Sequence, residues 1–434
     1  MTVRRRLSPT ERLVWAAGEV LPVNFAVTAR VTGRAHPGRI RDALAAVRRR
    51  HPLLGVRLDA PGRWQAWLTS DDVPDPGLRI VTATSPDTWT QVVEQELQRP
   101  FDTTTGPLAR FVLLDHGDSG DSFDLVCVYH HLVADVLSAA FVVRDVLDHA
   151  AAPRVVRQTS GPREDRPRGG PQITGAQAAP PADDLLPGRR ANPADLLKLA
   201  RALGGPPPPR PDRPAGPLTY TTWSLPPEET SALLTRCRAE RTTLQAALCA
   251  AFAQAYGRPI RIAVPADLRR ILTPSPQEAM GLYASTVFVT ADATTSRHDL
   301  KAAIHRQLRP DELVPLVRVF RLLRPVPRRT LSALLLRGET KGARFDISLS
   351  NVRVPIPQDY GPLRLDALYG AANTSLSGAP LVLVAGHGGR LFFGVTSTDG
   401  AAVAELCERA MSHLGSLVPF SERPPSRAGS APAP

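Results

Sequence analysis

Apolar and polar positions follow two rhythms along this chain. From Pro37 to Arg50, Ile40, Leu44 and Val47 recur at the spacing of a helix with one buried face, and His51-Pro52 ends the run. Thr88 to Gln98 and Leu137 to Ala150 carry helical spacing too. Between them lie short, branched, apolar runs that predict strands: Leu53–Leu58 and Trp64–Leu68 about a turn at Asp59–Arg63, then Leu108–Leu114 and Phe123–Tyr129. The alternation returns after residue 217. It predicts a strand at Leu218–Leu225, helices at Pro227–Glu240 and Thr243–Tyr256, and strands at Ile260–Pro265, Tyr283–Thr290, Ala343–Val354, Leu381–Ala385 and Leu391–Thr396. A last helix is predicted at Ala401–Leu417. The pattern is that of two α/β units of comparable size.

The stretch between them differs. Pro153 to Pro217 is rich in Pro, Gly, Arg and Asp and includes Gly204-Gly205-Pro206-Pro207-Pro208-Pro209. Such a segment cannot bury enough apolar surface to offset chain entropy, so it is expected to be a mostly disordered connector. Ala194–Leu203 is the exception, with helical spacing. The expected division is a first unit at 1–152, a linker at 153–217, a second unit at 218–420 and a disordered tail at 421–434.

Composition adds exclusions. The net charge of +12 comes almost wholly from Arg, since Lys occurs only at 198, 301 and 341. Aromatic residues are 5% of the chain and no basic run has aromatics interleaved, so nucleic-acid binding is not expected. A basic surface suits an acidic protein partner. Cys127, Cys237, Cys249 and Cys407 are far apart and form no C-x-x-C pair, as expected of core thiols in a reducing compartment. The N-terminal residues are interrupted by Glu11, Arg12 and Glu19 and do not form a secretion signal; no run approaches the roughly 20 apolar residues of a membrane span. A cytoplasmic, monomeric protein is expected. The histidines at 36, 51, 116, 149, 298, 305, 387 and 413 show no metal-ligand spacing, and no G-x-S-x-G elbow marks a serine hydrolase.

The informative segment is Phe123-Asp-Leu-Val-Cys-Val-Tyr-His-His-Leu-Val-Ala-Asp135. An apolar strand delivers His130 and His131, an aspartate follows, and a helix begins. Histidine is suited to accept a proton near neutrality from a hydroxyl or amine nucleophile. Successive residues of a strand point to opposite faces, so only one of the two can serve a given cavity. The competing reading is a pair of satisfied structural histidines.

His130-His-Leu-Val-Ala-Asp135 resembles the HHxxxDG motif of the condensation domains of nonribosomal peptide synthetases and of related polyketide-associated acyltransferases. Further resemblances occur in family order. They are the opening Leu7–Trp15 segment, Arg50-His-Pro-Leu-Leu54, Pro100-Phe-Asp102 with Gly106-Pro-Leu-Ala-Arg110, Val264–Arg269, Gly281-Leu-Tyr283 and Ser350-Asn-Val352. The resemblance implies an α/β (α+β) fold of two chloramphenicol-acetyltransferase-like lobes in a V with a central tunnel. It implies no bound cofactor. The donor would be a thioester on the phosphopantetheine of an acyl or peptidyl carrier protein, or on CoA, and a small molecule would be the acceptor. By the same resemblance His131 is the catalytic base, His130 supports the loop, and Asp135 is held by Arg269. Val136, Tyr283, Ser350 and Asn351 would line the tunnel.

Val136 stands where the motif has glycine, and the late DFGWG-type motif is reduced to Tyr369-Gly370. The second departure points to the stand-alone branch of the family. The first admits an alternative: a catalytically degenerate fold that binds a carrier protein or tailoring enzyme. Arg318, Arg321 and Arg324, at i, i+3 spacing, are either a solvated helix face or a carrier docking patch. Gly386–Arg390 is expected to be a hairpin turn.

Overall fold

The computed structural model describes residues 3–62, 65–116, 121–152, 178–188, 194–198, 216–340, 345–374 and 378–415. The fold is mixed α/β. Its organising strand is β7 (Ser122–His130), apolar on both faces and buried at every position but the first. β7 pairs antiparallel with β2 (Asn24–Thr32) on one side and β6 (Ala109–Asp115) on the other. β5 (Leu78–Thr82) adds parallel to β6. α2 (Pro37–Arg50), α3 (Thr88–Gln98) and α4 (Val136–Ala151) bury their apolar faces in the same core.

The outer edge of this sheet is closed by β12 (Arg364–Ala372), which pairs antiparallel with β2. Residues 364–372, within the expected second unit at 218–420, thus pair into the sheet that holds β7. The second sheet runs β10 (Ala284–Ala291), β9 (Ile260–Asp267), β11 (Ile347–Arg353), β13 (Leu381–His387), β14 (Arg390–Ser397) and β8 (Thr219–Leu225). Its core is completed by the helices Leu244–Tyr256 and Gly400–Leu414. β1 (Arg4–Arg6), β4 (Trp67–Thr69) and β3 (Arg57–Asp59) form a small third sheet.

Most expected elements are present within a residue or two. Leu53–Leu58 differs. Pro52 opens a 3-10 turn at Pro52–Gly55 that buries Leu53 and Leu54, and the strand begins only at Arg57. Proline, with its fixed φ and no N–H to satisfy, suits the first position of such a turn. Trp64 lies outside the described residues. β2, β12 and the helices Arg297–Gln307, Pro310–Arg318 and Arg328–Thr340 were not among the expected elements. The β13–β14 hairpin turns through Gly388 and Gly389, both at positive φ, as the short turn requires.

Within the expected connector, Ala182–Leu185 is helical, and Ala182, Leu185 and Leu186 join the second core. Residues 194–198 are helical as well. Residues 153–177, 189–193 and 199–215 of that segment, and the expected tail at 421–434, lie outside the described residues. All four cysteines are buried and unpaired. No helix among the described residues is long and apolar enough to cross a membrane.

Candidate active site

The site is built where β7 ends and α4 begins. Asp135 is the N-cap of α4, with extended backbone, and its Oδ1 accepts from Ser138 N at 2.8 Å. The same carboxylate faces Arg269, which follows the end of β9 in the second sheet. Arg269 Nη1 donates to Asp135 Oδ2 at 2.8 Å and Nη2 donates to Oδ1 at 3.0 Å. Tyr283 N adds a third partner from across the boundary, 3.0 Å from Oδ2. All five guanidinium N–H groups are used: Nε donates to Gln277 O, Nη1 also to Asp267 Oδ1, and Nη2 also to Ser138 Oγ. Burial works against the Arg269 charge, but the Asp135 carboxylate outweighs it and raises the pKa.

Both groups are buried, Asp135 at 4% and Arg269 at 6% exposure. Such a pair is secured less by attraction than by the cost of leaving either charge alone in the interior. Ser138 strengthens the join, donating through Oγ to Gly281 O and accepting from Gly281 N. Neither Ser138 nor Gly281 was singled out as a site residue from the sequence.

His130 ends β7 and His131 follows it; the two rings turn to opposite sides, one to Phe101 and the other to Phe25, and carry opposite tautomers. His131 stacks on Phe25, with ring centroids 4.5 Å apart, and is half-buried. Its Nδ1 lies 3.3 Å from Ala134 O. A carbonyl oxygen only accepts, so Nδ1 holds the proton and Nε2 keeps a lone pair. Burial lowers the His131 pKa, with Ala134 O and Asp135 opposing, and keeps the ring neutral. His130 is the reverse case. Its Nδ1 accepts from Leu132 N at 3.1 Å, so the neutral ring carries its proton on Nε2. Burial and then the neighbouring His131 pull its pKa down to about 3. His131 is thus a proton acceptor and His130 a hydrogen-bond donor.

Val136 is the first residue of α4, half-buried, and is not among the residues at positive φ. Its backbone needs no glycine. Tyr283 is buried, its hydroxyl donating to Pro180 O and its ring lying under Arg269, with the guanidinium carbon 4.8 Å from the ring centroid. Ser350 and Asn351 sit on β11, well inside the second sheet.

The arginine cluster is not one helix face. The helix Pro310–Arg318 ends there, and a 3-10 turn covers Val319–Leu323. Arg318 donates through Nε and Nη2 to Asp195, both at 3.0 Å, and Arg321 donates to the backbone oxygens of Gly188 and Asp183. These contacts tie Arg318 to Asp195 and Arg321 to residues 183–188. Arg324 remains exposed.

Two cavities flank the first sheet. The larger, about 390 Å³, is lined by Arg30, Asp124, Asp366, Tyr369 and Arg390. It lies near the far end of β7, eight residues from His130, or about 25 Å at the rise of a strand. The smaller, about 180 Å³, touches His130 itself. Among the described residues no cluster could hold a metal ion.

Residues 22–153 match the condensation domain family. Phosphinothricin tripeptide synthetase PhsC of Streptomyces viridochromogenes is 30% identical over 156 residues, which are 33% of this chain and 14% of the length of that synthetase. Trichothecene 15-O-acetyltransferase TRI3 of Fusarium sporotrichioides has a similar structure over 95% of this chain and 94% of its own, with TM-score 0.73 at 13% identity. A mutant starter condensation domain of rhizomide synthetase RzmA, in complex with C8-CoA and Leu-SNAC, is similar over 96% of each chain, with TM-score 0.61 at 14% identity.

Proposed function

We propose, from the premise that residues 22–153 are a condensation-domain segment on a chain with the condensation fold, that this protein is an acyltransferase. It moves an acyl or aminoacyl group from a thioester, on CoA or on the phosphopantetheine of a carrier protein, to the hydroxyl or amine of a small acceptor. The setting would be natural-product or complex-lipid assembly in the cytoplasm. The observation that carries this reading is the neutral His131, fixed by Phe25 and Ala134 O, whose Nε2 has no hydrogen-bond partner among the described residues. In the proposed step Nε2 takes the acceptor's proton as its oxygen or nitrogen bonds to the thioester carbonyl carbon. The carbon–sulfur bond then breaks, and the thiolate leaves with the proton from the imidazolium. Asp135 is a positioning residue: it caps α4 and joins the two units through Arg269.

Ordinary helical backbone at Val136 supports a working loop over a degenerate one. The test is turnover of octanoyl-CoA and of an acylated carrier protein with a panel of alcohols and amines. His131→Ala should lose at least about a hundredfold in rate, the usual scale of one general base. Unimpaired turnover in that variant would remove the mechanism. Carrier binding with no turnover by the wild type would leave only a recruitment role.

A further inference from the structure

We infer that the 180 Å³ cavity behind His130 is a binding pocket for a neutral, compact apolar or aromatic group bearing a carbonyl oxygen. Its walls include Trp15 and Phe101, and its rim carries Glu19 and Arg328. The rim charges cancel: Arg328 Nη1 lies 2.6 Å from Glu19 Oε1, and the guanidinium carbon lies 4.3 Å from the Trp15 ring centroid. A charged ligand would have to break that pair, whereas a neutral one would not.

Inside the charged rim the polar lining residues are Asn24, Thr103 and His130. The Nδ1 of His130 is taken by Leu132 N, so Nε2–H is the group it has left to offer, and no partner for Nε2 is found among the described residues. A donor that cannot act as a base selects a ligand that accepts, and a carbonyl oxygen does so without bringing a donor of its own.

Gly18 borders the space in front of Nε2. A Cβ at residue 18 would lie 3.3 Å from Trp15 O, 3.4 Å from Val23 Cγ2 and 3.5 Å from His130 Nε2. Gly18 has φ −62° and ψ −15°, ordinary helical values that any residue adopts. The backbone does not ask for glycine there, and a Cβ would reach Nε2 only at ordinary contact distance, so a longer side chain is needed to fill the space. This pocket lies on the face of β7 opposite His131 and does not depend on the acyl-transfer reading.

The test uses two probes of the same shape, acetophenone and α-methylstyrene, which differ in a carbonyl oxygen against a methylene. Binding is followed by NMR on protein labelled with 15N at histidine. Acetophenone should bind saturably, shift the His130 Nε2 resonance, and bind about fivefold or more tightly than α-methylstyrene. Gly18→Leu should abolish binding of both, and Gly18→Ala should weaken it in a graded way if the larger residue disturbs folding. His130→Phe should lose the preference between the probes. His131→Ala should leave acetophenone binding in place, which separates this pocket from the proposed reaction. Absence of saturable binding, equal affinity for the two probes, or unchanged binding in both Gly18 variants would overturn the inference.

Discussion

At the scale of single residues, Asp135 holds together what the chain has kept apart. It accepts from Ser138 in its own helix and from Arg269 and Tyr283 in the other unit. Arg269→Ala leaves that carboxylate buried and uncompensated, and should cost about 3–5 kcal/mol in chemical denaturation. Arg269→Lys should recover little of it, because an ammonium cannot present the guanidinium fork that engages both carboxylate oxygens. The histidines set the acid response. Below pH 6.5 a histidine in the unfolded chain takes up a proton, while folded His130 stays neutral down to about 3. The unfolded state then binds more protons, so stability is complete above pH 6.5 and falls as pH drops toward 3. His130 contributes a slope of about 1 kcal/mol per pH unit in that window. Urea titrations from pH 7 to 5, before most carboxylates titrate, should show a shallower decline in His130→Phe. Since His131 is also held below the usual imidazole value, the acid limb of any kcat/KM profile should lie below pH 6.5. A limb at or above 6.5 would assign the base elsewhere.

At the scale of elements, the sequence was legible where one element satisfies itself. The apolar stripe Ile40, Leu44 and Val47 defines α2, and Thr88–Gln98 marks α3 to the residue. The His130-His131-Asp135 motif stood out because its spacing is local. β12 was missed because its reason for existing is distant: its partner β2 lies more than 300 residues earlier, and Asp366 interrupts its apolar run. β2 did carry a signal, with Phe25, Val27, Ala29 and Val31 alternating with Asn24, Thr28, Arg30 and Thr32. The tautomers were beyond reach, since Ala134 O and Leu132 N are backbone groups that leave no trace in residue identity. The crossing of β12 over the second sheet makes its own prediction. A Cβ at Gly394 in β14 would sit 2.2 Å from Gly370 O in β12 and 2.7 Å from the Tyr220 hydroxyl. The first of these is backbone and cannot swing aside. Gly394→Ala should therefore destabilise by about 1–3 kcal/mol, whereas the same change at Gly257, where nothing lies within 4 Å but φ is +65°, should cost only about 1 kcal/mol. Thermal melts of the two variants compare them directly.

At the scale of the whole molecule, the two cores are fastened at several separate places. Besides Asp135–Arg269, Arg144 donates through both Nη groups to Glu278, at 2.8 and 2.9 Å, and β12 belongs to one sheet while its neighbours in sequence belong to the other. The Arg144–Glu278 pair is partly exposed, so Glu278→Ala should cost no more than about 1 kcal/mol. Shared pairing and a shared buried charge should make the two cores unfold together. A single transition, coincident by tryptophan fluorescence and circular dichroism, is expected in urea; two separated transitions would show the cores to be independent.

The borrowed strand also bears on how the polypeptide is made. Synthesis from the N-terminus produces β2, β6 and β7 long before residues 364–372 exist, so the nascent sheet waits with the outer rim of β2 bare. An unpaired rim of Phe25, Val27 and Val31 is a template for pairing with a neighbouring chain on the ribosome. A fragment stopped after residue 152 should accordingly precipitate on expression, and supplying 364–372 as a separate peptide should bring part of it back into solution.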